Sequence, residues 1–418
     1  MEQLHKRFTT DQIKAFFERY LKKELKISYL LEILGVGRRR FFGLLEKFRD
    51  APKEFSIEYK RKHANRKISV SIEKNILHEL SVDKKAIANK HIPLWSYNYS
   101  YVQERLREKY KQEVSLPTII DRARKNDCYL KKRIHKVHDR EVLTNYAGEL
   151  IQHDSSHHLW APDSGEKWYL ITSIDDFSRF IFYAALSQKE SVWTHILALE
   201  SIALKWGLPF SFYVDSHSIF RYVRGRDEIH YQHHLLTDQV DPQWKQVLND
   251  CKIKVIYALS PQAKGKVERP YRWLQDHLVR ACIRQNVKTI GDGNRILGWE
   301  VHQYNYKRVH STTEEIPFTR LTKAIDNKKS LFREFKLTPP FLSVKDIFCL
   351  RIDRVVDPYS RINVHDFQCQ VKGSMPRQTL TLRIHPLSRE VSEVRFWLKD
   401  KLMDVQRAKN SELKIVHF

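Results

Sequence analysis

The sequence predicts a multidomain chain: all-α helix-turn-helix domains at the N-terminus, a central α/β domain on a mixed sheet, and a small C-terminal β-barrel. Three observations predict it. Apolar residues recur at helical spacing over residues 10–125. Between residues 147 and 325, runs of β-branched and aromatic residues alternate with helical stretches. After residue 340, short alternating strands follow one another with turns between them.

In chain order, Ile13, Phe16, Phe17, Tyr20 and Leu21 recur at helical spacing behind Thr10 and Asp11, which can cap a helix. ISYLLEIL then reads as a short helix, Gly35-Val36-Gly37 as a turn, and a basic helix starts at Arg38. Helix, glycine turn and basic helix form the helix-turn-helix pattern, with Arg38, Arg39 and Arg40 outward and Phe41, Leu44, Leu45 and Phe48 inward. A generic helical hairpin shares that pattern. This first unit spans 1–65. A second, over 66–129, has helical periodicity at 70–90 and 99–110, then VSLPTIIDRARKNDCY with Pro117 in a first turn. Its outward basic residues are Arg122, Arg124 and Lys125. LKKRIHKVHDR makes 130–146 a basic linker, suited to a DNA backbone or simply to solvent.

The central domain, 147–325, opens with the strand GELIQHD and a strand hairpin turning at Asp175-Asp176. A helix over 190–206, the strand PFSFYVDS, an interruption, the strand CKIKVIYA and a long helix over 267–285 complete an α/β layout. From 340 to 418, four or five strands suggest the barrel. Trp397 and the tyrosines there read as core more readily than as base-stacking surfaces.

Charge narrows the partner. Lys and Arg number 74 against 50 Asp and Glu, a net +24 with pI near 9.7. Such an excess favours a polyanion, because each neutralised phosphate releases condensed counterions. No stretch reaches the roughly 18 apolar residues of a membrane span, and the N-terminus lacks a signal-peptide core. The five cysteines are scattered and never form a CxxC pair. They point to a reducing compartment, with the cytoplasm as the expected location.

Three acids occupy similar places in the central domain. Asp154 ends ELIQHD, Asp215 ends FSFYVD, and Glu268 opens the long helix. Strand ends and helix starts on one sheet rim can converge although these residues lie 61 and 53 positions apart. Magnesium prefers oxygen donors and is usually held by one or two carboxylates, so two neighbouring ions need about three. Such a pair activates a water or 3′-hydroxyl and stabilises the leaving oxygen of an in-line displacement. Val267, Tyr271, Leu274, Leu278 and Ala281 give the helix an apolar face, with Glu268 at its edge. Pro270 must sit in the first turn, and Lys264 and Lys266 precede it, placed for phosphate oxygens. Singly, each acid is unspecific: an Asp at a strand end is commonly a turn residue, as expected of Asp175 and Asp176.

The segments LIQHDSSHHLW, YLITSIDDFSRFI, FYVDSHSIFR, SPQAKGKVERPYRWLQDHL and YNYKRVHSTTEEIPFTRL carry a resemblance. In this order they are similar to the integrase catalytic core shared by retroviral integrases and bacterial insertion-sequence transposases, with a ribonuclease H-like fold. The resemblance covers residues 147–321. It implies a DDE carboxylate triad of Asp154, Asp215 and Glu268 holding two Mg²⁺ or Mn²⁺ ions, for metal-dependent DNA cleavage and strand transfer. The implied partners are double-stranded DNA, as the terminal repeats of a mobile element and its target, and further copies of the chain in a homodimer or larger assembly. No membrane is implied, and the implied location is the bacterial nucleoid. The alternative is a domesticated or regulatory DNA-binding protein without strand transfer.

Two features depart from the integrases. The paired His and Cys of an N-terminal zinc module are missing, and FRYVRGRDEIHYQHHLLTDQVDPQ lengthens the Asp215–Glu268 interval. His153, His157 and His158 crowd Asp154, and His230, His233 and His234 crowd that insertion. Without Cys partners or an HxxxH spacing these do not read as a zinc site. His157 or His158 is instead expected to orient a carboxylate or meet a phosphate.

Overall fold

The computed structural model describes residues 4–58, 68–131, 144–214, 243–257 and 268–414. The chain forms two compact units, Met1–Glu73 and Lys74–Phe418.

The first unit holds α1 (Leu4–Arg7), α2 (Thr10–Leu21), α3 (Ile27–Leu34) and α4 (Arg38–Asp50). The cap of α2 lies one residue before the expected pair: Thr9 Oγ1 accepts from the Gln12 amide at 3.3 Å and Gln12 Oε1 accepts from the Thr9 amide at 2.9 Å. This reciprocal arrangement satisfies two otherwise orphaned donors. α3 stops at Gly35, whose φ of +62° suits glycine. Arg7 closes the same end by donating to the Ile33 carbonyl at 2.9 Å. Ile13, Phe17, Leu30, Leu34, Phe41, Leu45 and Phe48 form the core, so α4 turns inward the face its periodicity predicts.

The second unit contains the rest, apart from the first turn of α5, which lies before the boundary at Glu73. α5 (Val70–Ala88), α6 (Tyr99–Tyr110) and α7 (Leu116–Lys125) come first, α7 carrying Pro117 in its first turn. Next are β1 (Ile151–His158), a 3₁₀ turn at Pro162–Ser164, β2 (Trp168–Asp175), β3 (Ile181–Ser187), α8 (Val192–Trp206) and β4 (Ser211–Val214). α9 (Gln243–Asp250), β5 (Lys254–Tyr257), α10 (Glu268–Arg284), α11 (Ile290–Tyr306) and α12 (Pro317–Asp326) complete the central region. The sheet runs β3-β2-β1-β4-β5, antiparallel among the first three strands and parallel from β1 through β4 to β5. This is the mixed sheet expected from the residue pattern. Among the described residues no helix is long and apolar enough to cross a membrane.

The C-terminal region differs from expectation. It comprises α13 (Val344–Ile347), β6 (Leu350–Val355), β7 (Arg361–Val364), β8 (Phe367–Gln370), β9 (Thr379–Pro386), β10 (Val391–Leu398), β11 (Lys401–Lys409) and α14 (Asn410–Leu413). The strands form an open sheet, β11-β10-β9-β6, and a separate β7-β8 hairpin. A barrel requires its edge strands to pair, and among the described residues β6 and β11 do not. Strand alternation puts Leu382, Ile384, Val394 and Phe396 on one face of the sheet and Arg351, Arg383 and His385 on the other. The second of these faces meets the central region, His385 lying edge-on to Trp193 of α8 at 5.2 Å. Asp250 at the end of α9 fastens the contact, accepting from Arg351 at 2.6 Å and Arg383 at 3.3 Å. Trp397 is buried and donates to Asp346 at 3.1 Å, a core residue as expected.

The second helical group is bonded to α10. Asp83 of α5 and Arg280 are fully buried and meet at 2.6 Å, and the other Asp83 oxygen takes Arg284 at 2.6 Å. Glu79 adds a 3.2 Å contact to Arg284, and Asp276 a 2.9 Å contact to Arg280. A buried guanidinium is tolerated only with such partners. Replacing Asp83 with Ala removes the shared acceptor, and the expected cost is roughly 3–5 kcal/mol. Thermal unfolding followed by circular dichroism should show a clearly lower midpoint; an unchanged midpoint would mean that the network contributes little.

Candidate active site

β1 presents alternate residues to opposite faces of the sheet, and this sorts the acids and histidines of its segment. Asp154 pairs with Thr172 across β1 and β2. Residues directly opposite in an antiparallel pair point to the same face. Thr172 turns towards α10, where its hydroxyl donates to the Tyr271 hydroxyl at 2.8 Å. The half-buried Asp154 therefore projects on the α10 face. Tyr271 in turn donates to the main-chain carbonyl of Asp154 at 2.5 Å.

α10 lies against that face through Tyr271, Leu274, Leu278 and Ala281, which pack with Trp160, Trp168, Leu170 and Leu186. Its first residue is Glu268, and Pro270 falls in the first turn, where a missing amide donor does no harm. Glu268 thus stands three residues, under one helical turn, before Tyr271. β4 runs parallel to β1, with Ile151 opposite Phe212 and Gln152 opposite Tyr213, and both strands head for the same rim. Asp215, Lys264 and Lys266 lie outside the described residues, as do Val267 and the His-rich insertion. Among the described residues no three metal-binding side chains come together. The structure thus brings the Asp154 strand and the Glu268 helix start to one face. The Asp154 carboxylate on that face offers oxygen donors, which fit a hard divalent cation.

The opposite face of β1 holds a buried polar relay. His153 bonds Ser173 through Nδ1 at 2.8 Å and His195 through Nε2 at 2.8 Å, and His195 reaches Glu190 at 3.1 Å. Ser155 donates to the same Glu190 oxygen. Burial holds the His153 imidazole well below its ordinary pKa, so it stays neutral. His157 stacks on Tyr169 with centroids 4.2 Å apart, and His158 meets Trp160 edge-on at 5.2 Å. Among the described residues neither orients a carboxylate, because the neighbouring strand and loop offer rings at those positions. Burial lowers the His158 pKa as well.

Asp175 and Asp176 are turn residues, as their place in the hairpin predicts. Asp175 accepts from the Gly148 amide at 3.0 Å, the Ser178 amide at 2.8 Å and the Ser178 hydroxyl at 2.6 Å. Full burial still pushes its carboxyl up to about 6. Asp176 accepts from Gln152 at 2.6 Å, Arg179 at 2.9 Å and Thr144 at 3.1 Å.

The candidate DNA contacts fall into two groups. Arg38, Arg39 and Arg40 are exposed in the first turn of α4. On α7, Arg122 and Lys125 both meet Asp121, at 2.6 and 2.9 Å, and Arg124 lies over the Tyr129 ring at 4.8 Å. Sequence reasoning missed Thr172 and the hydroxyl role of Tyr271, which had been counted only within an apolar stripe. A phenol among aliphatic residues was the available signal, since a buried tyrosine hydroxyl needs a partner.

Comparison with known proteins adds the context. No family model matches the chain. It is 30% identical over 226 residues to y4bF of Sinorhizobium fredii, a protein named as a transposase, covering 54% of this chain and 44% of that one. It is 28% identical over 249 residues to the transposase for insertion sequence IS1202 of Streptococcus pneumoniae, covering 59% and 48%. The HTLV-2 integrase catalytic core domain in complex with magnesium aligns at 18% identity and a TM-score of 0.31, over 43% of this chain and 98% of that one. A chain of the simian T-cell lymphotropic virus intasome with PP2A regulatory subunit B56 gamma aligns at 12% and 0.34, over 73% and 94%. At such scores the superpositions add nothing to the sheet order. The chain spans about half the length of the curated relatives it matches. Over slightly more than half of its own length, the chain is similar to the transposases of bacterial insertion sequences.

Proposed function

We propose that this chain is a DNA transposase that cleaves and joins DNA by metal-dependent phosphoryl transfer, with Asp154, Asp215 and Glu268 as the metal-binding triad. The observation that carries the reading is the tether from Tyr271, in the first turn of the Glu268 helix, to the carbonyl of Asp154. The similarity to insertion-sequence transposases agrees with it.

In this reading water attacks the phosphodiester at an element end and the P–O3′ bond there breaks; the freed 3′-hydroxyl then attacks a target phosphodiester, whose own P–O3′ bond breaks to release a target 3′-hydroxyl. Two Mg²⁺ or Mn²⁺ ions, when bound, would activate the attacking oxygen and stabilise the leaving one. The protein's part is to hold three carboxylates at one rim and to keep the DNA there. Arg38, Arg39 and Arg40, and on α7 Arg122, Arg124 and Lys125, supply backbone and groove contacts to the terminal repeats. Lys264 and Lys266 meet phosphates next to the scissile bond. Joining two ends calls for a dimer or larger assembly, at work on the DNA of the nucleoid.

Strand transfer on DNA carrying the element's own ends, with Mg²⁺ or Mn²⁺, tests this. Asp154→Asn should cut joined product by roughly 100-fold or more while end binding is retained. Equal product from both proteins would sink the triad. Tight end binding with no product from the wild type would instead favour a regulatory DNA-binding protein. Replacing Arg38, Arg39 and Arg40 with Ala should weaken end binding. It should also flatten the log–log dependence on salt by about 0.9 per lost phosphate contact, read by fluorescence anisotropy at several salt concentrations. An unchanged slope would remove α4 from the interface.

A further inference from the structure

Tyr271 is 5% exposed and Thr172 is 3% exposed. The rest of the α10 contact with the sheet is apolar, through Leu274, Leu278 and Ala281. Apolar burial is non-directional, so by itself it leaves a helix free to shift along its axis or roll on the sheet. A hydrogen bond has a narrow range of length and angle and removes that freedom. Among the described residues the Tyr271 hydroxyl makes two such bonds: it accepts from Thr172 on β2 at 2.8 Å and donates to the Asp154 carbonyl on β1 at 2.5 Å. The group it grips on β1 is the backbone of Asp154 itself. On the helix side, Glu268 begins the same turn.

We infer that Tyr271 is a positioning residue for the metal site, its hydroxyl setting the separation between the β1 backbone at Asp154 and the start of α10 at Glu268. This inference rests on the proposed triad and adds to it a residue that touches neither metal nor DNA. Thr172 completes the device by orienting the phenol: its donated proton occupies one lone pair and turns the Tyr271 O–H towards β1. Phenylalanine fills nearly the same volume but makes neither bond. The ring stays in the core while the first turn of α10 gains freedom relative to β1. Carboxylates held less closely in register bind a small, geometrically demanding ion more weakly.

The experiment is a Mn²⁺ titration of the full chain bound to element-end DNA, following the electron paramagnetic resonance signal of free Mn²⁺. Wild type, Tyr271→Phe, Thr172→Val and Asp154→Asn are compared, with circular dichroism and the thermal midpoint recorded for each without metal. Tyr271→Phe should raise the apparent dissociation constant by roughly 10-fold or more at a near wild-type midpoint. Its strand transfer should recover at raised Mn²⁺, a rescue that a merely unstable protein would not show. Thr172→Val should raise the constant less. If Tyr271→Phe does not fold, Thr172→Val decides alone, and wild-type affinity there overturns the inference. Wild-type affinity in Tyr271→Phe, with binding lost in Asp154→Asn, overturns the positioning role and leaves the triad standing. Undiminished Mn²⁺ binding in Asp154→Asn overturns the triad, and the role of Tyr271 with it.

Discussion

Helix α10 is held from two sides by two different kinds of chemistry, and the second unit is organised around it. One face presents Leu274, Leu278 and Ala281 to the sheet. Another carries Arg280 and Arg284 into the carboxylates of Asp83 and Glu79 on α5. The apolar contact supplies the bulk of the burial free energy, and the ionic contact supplies selectivity, since buried charges accept few alternative partners. Asp276 and Asn98 extend the ionic side to the start of α6. His277, between Glu104 and Glu300 at 3.6 Å each, extends it to α6 and α11. The second helical group is therefore continuous with the helix that opens at Glu268.

β1 performs a comparable separation within a single strand. Its alternation sends His153 and Ser155 into a sealed relay with His195 and Glu190, and leaves Asp154 half-buried on the other side. The neutral imidazole of His153 suits the sealed side, where a charge would lack water. A carboxylate suits the side where a helix start and solvent are at hand. Neighbours in sequence thus occupy different environments, although every residue from Gln152 to His158 is polar.

Much of this was legible because it depends on period and local chemistry. The helical stripe of α10, the proline in its first turn, the glycine that ends α3 and the turn at Asp175-Asp176 follow from residues within a few positions of one another. What escaped depends on distant partners. The Tyr271 hydroxyl meets groups 99 and 117 positions away, and no local pattern encodes such a meeting. His157 or His158 was expected to orient a carboxylate or meet a phosphate, yet among the described residues the two lie against the Tyr169 and Trp160 rings. The barrel expected after residue 340 failed for a similar reason. Alternation within a strand does not say which strands pair, and among the described residues β6 and β11 do not pair with each other. Asp215, Lys264 and Lys266 stay as the residue pattern and the resemblance leave them.

That docked sheet bears on how the protein can be divided. Cutting the chain near residue 325, where the central fold ends by sequence pattern, would take His385 from beside Trp193 of α8. It would also leave Asp250 without Arg351 and Arg383. A stable fragment of the second unit therefore runs past residue 325 and into the C-terminal sheet.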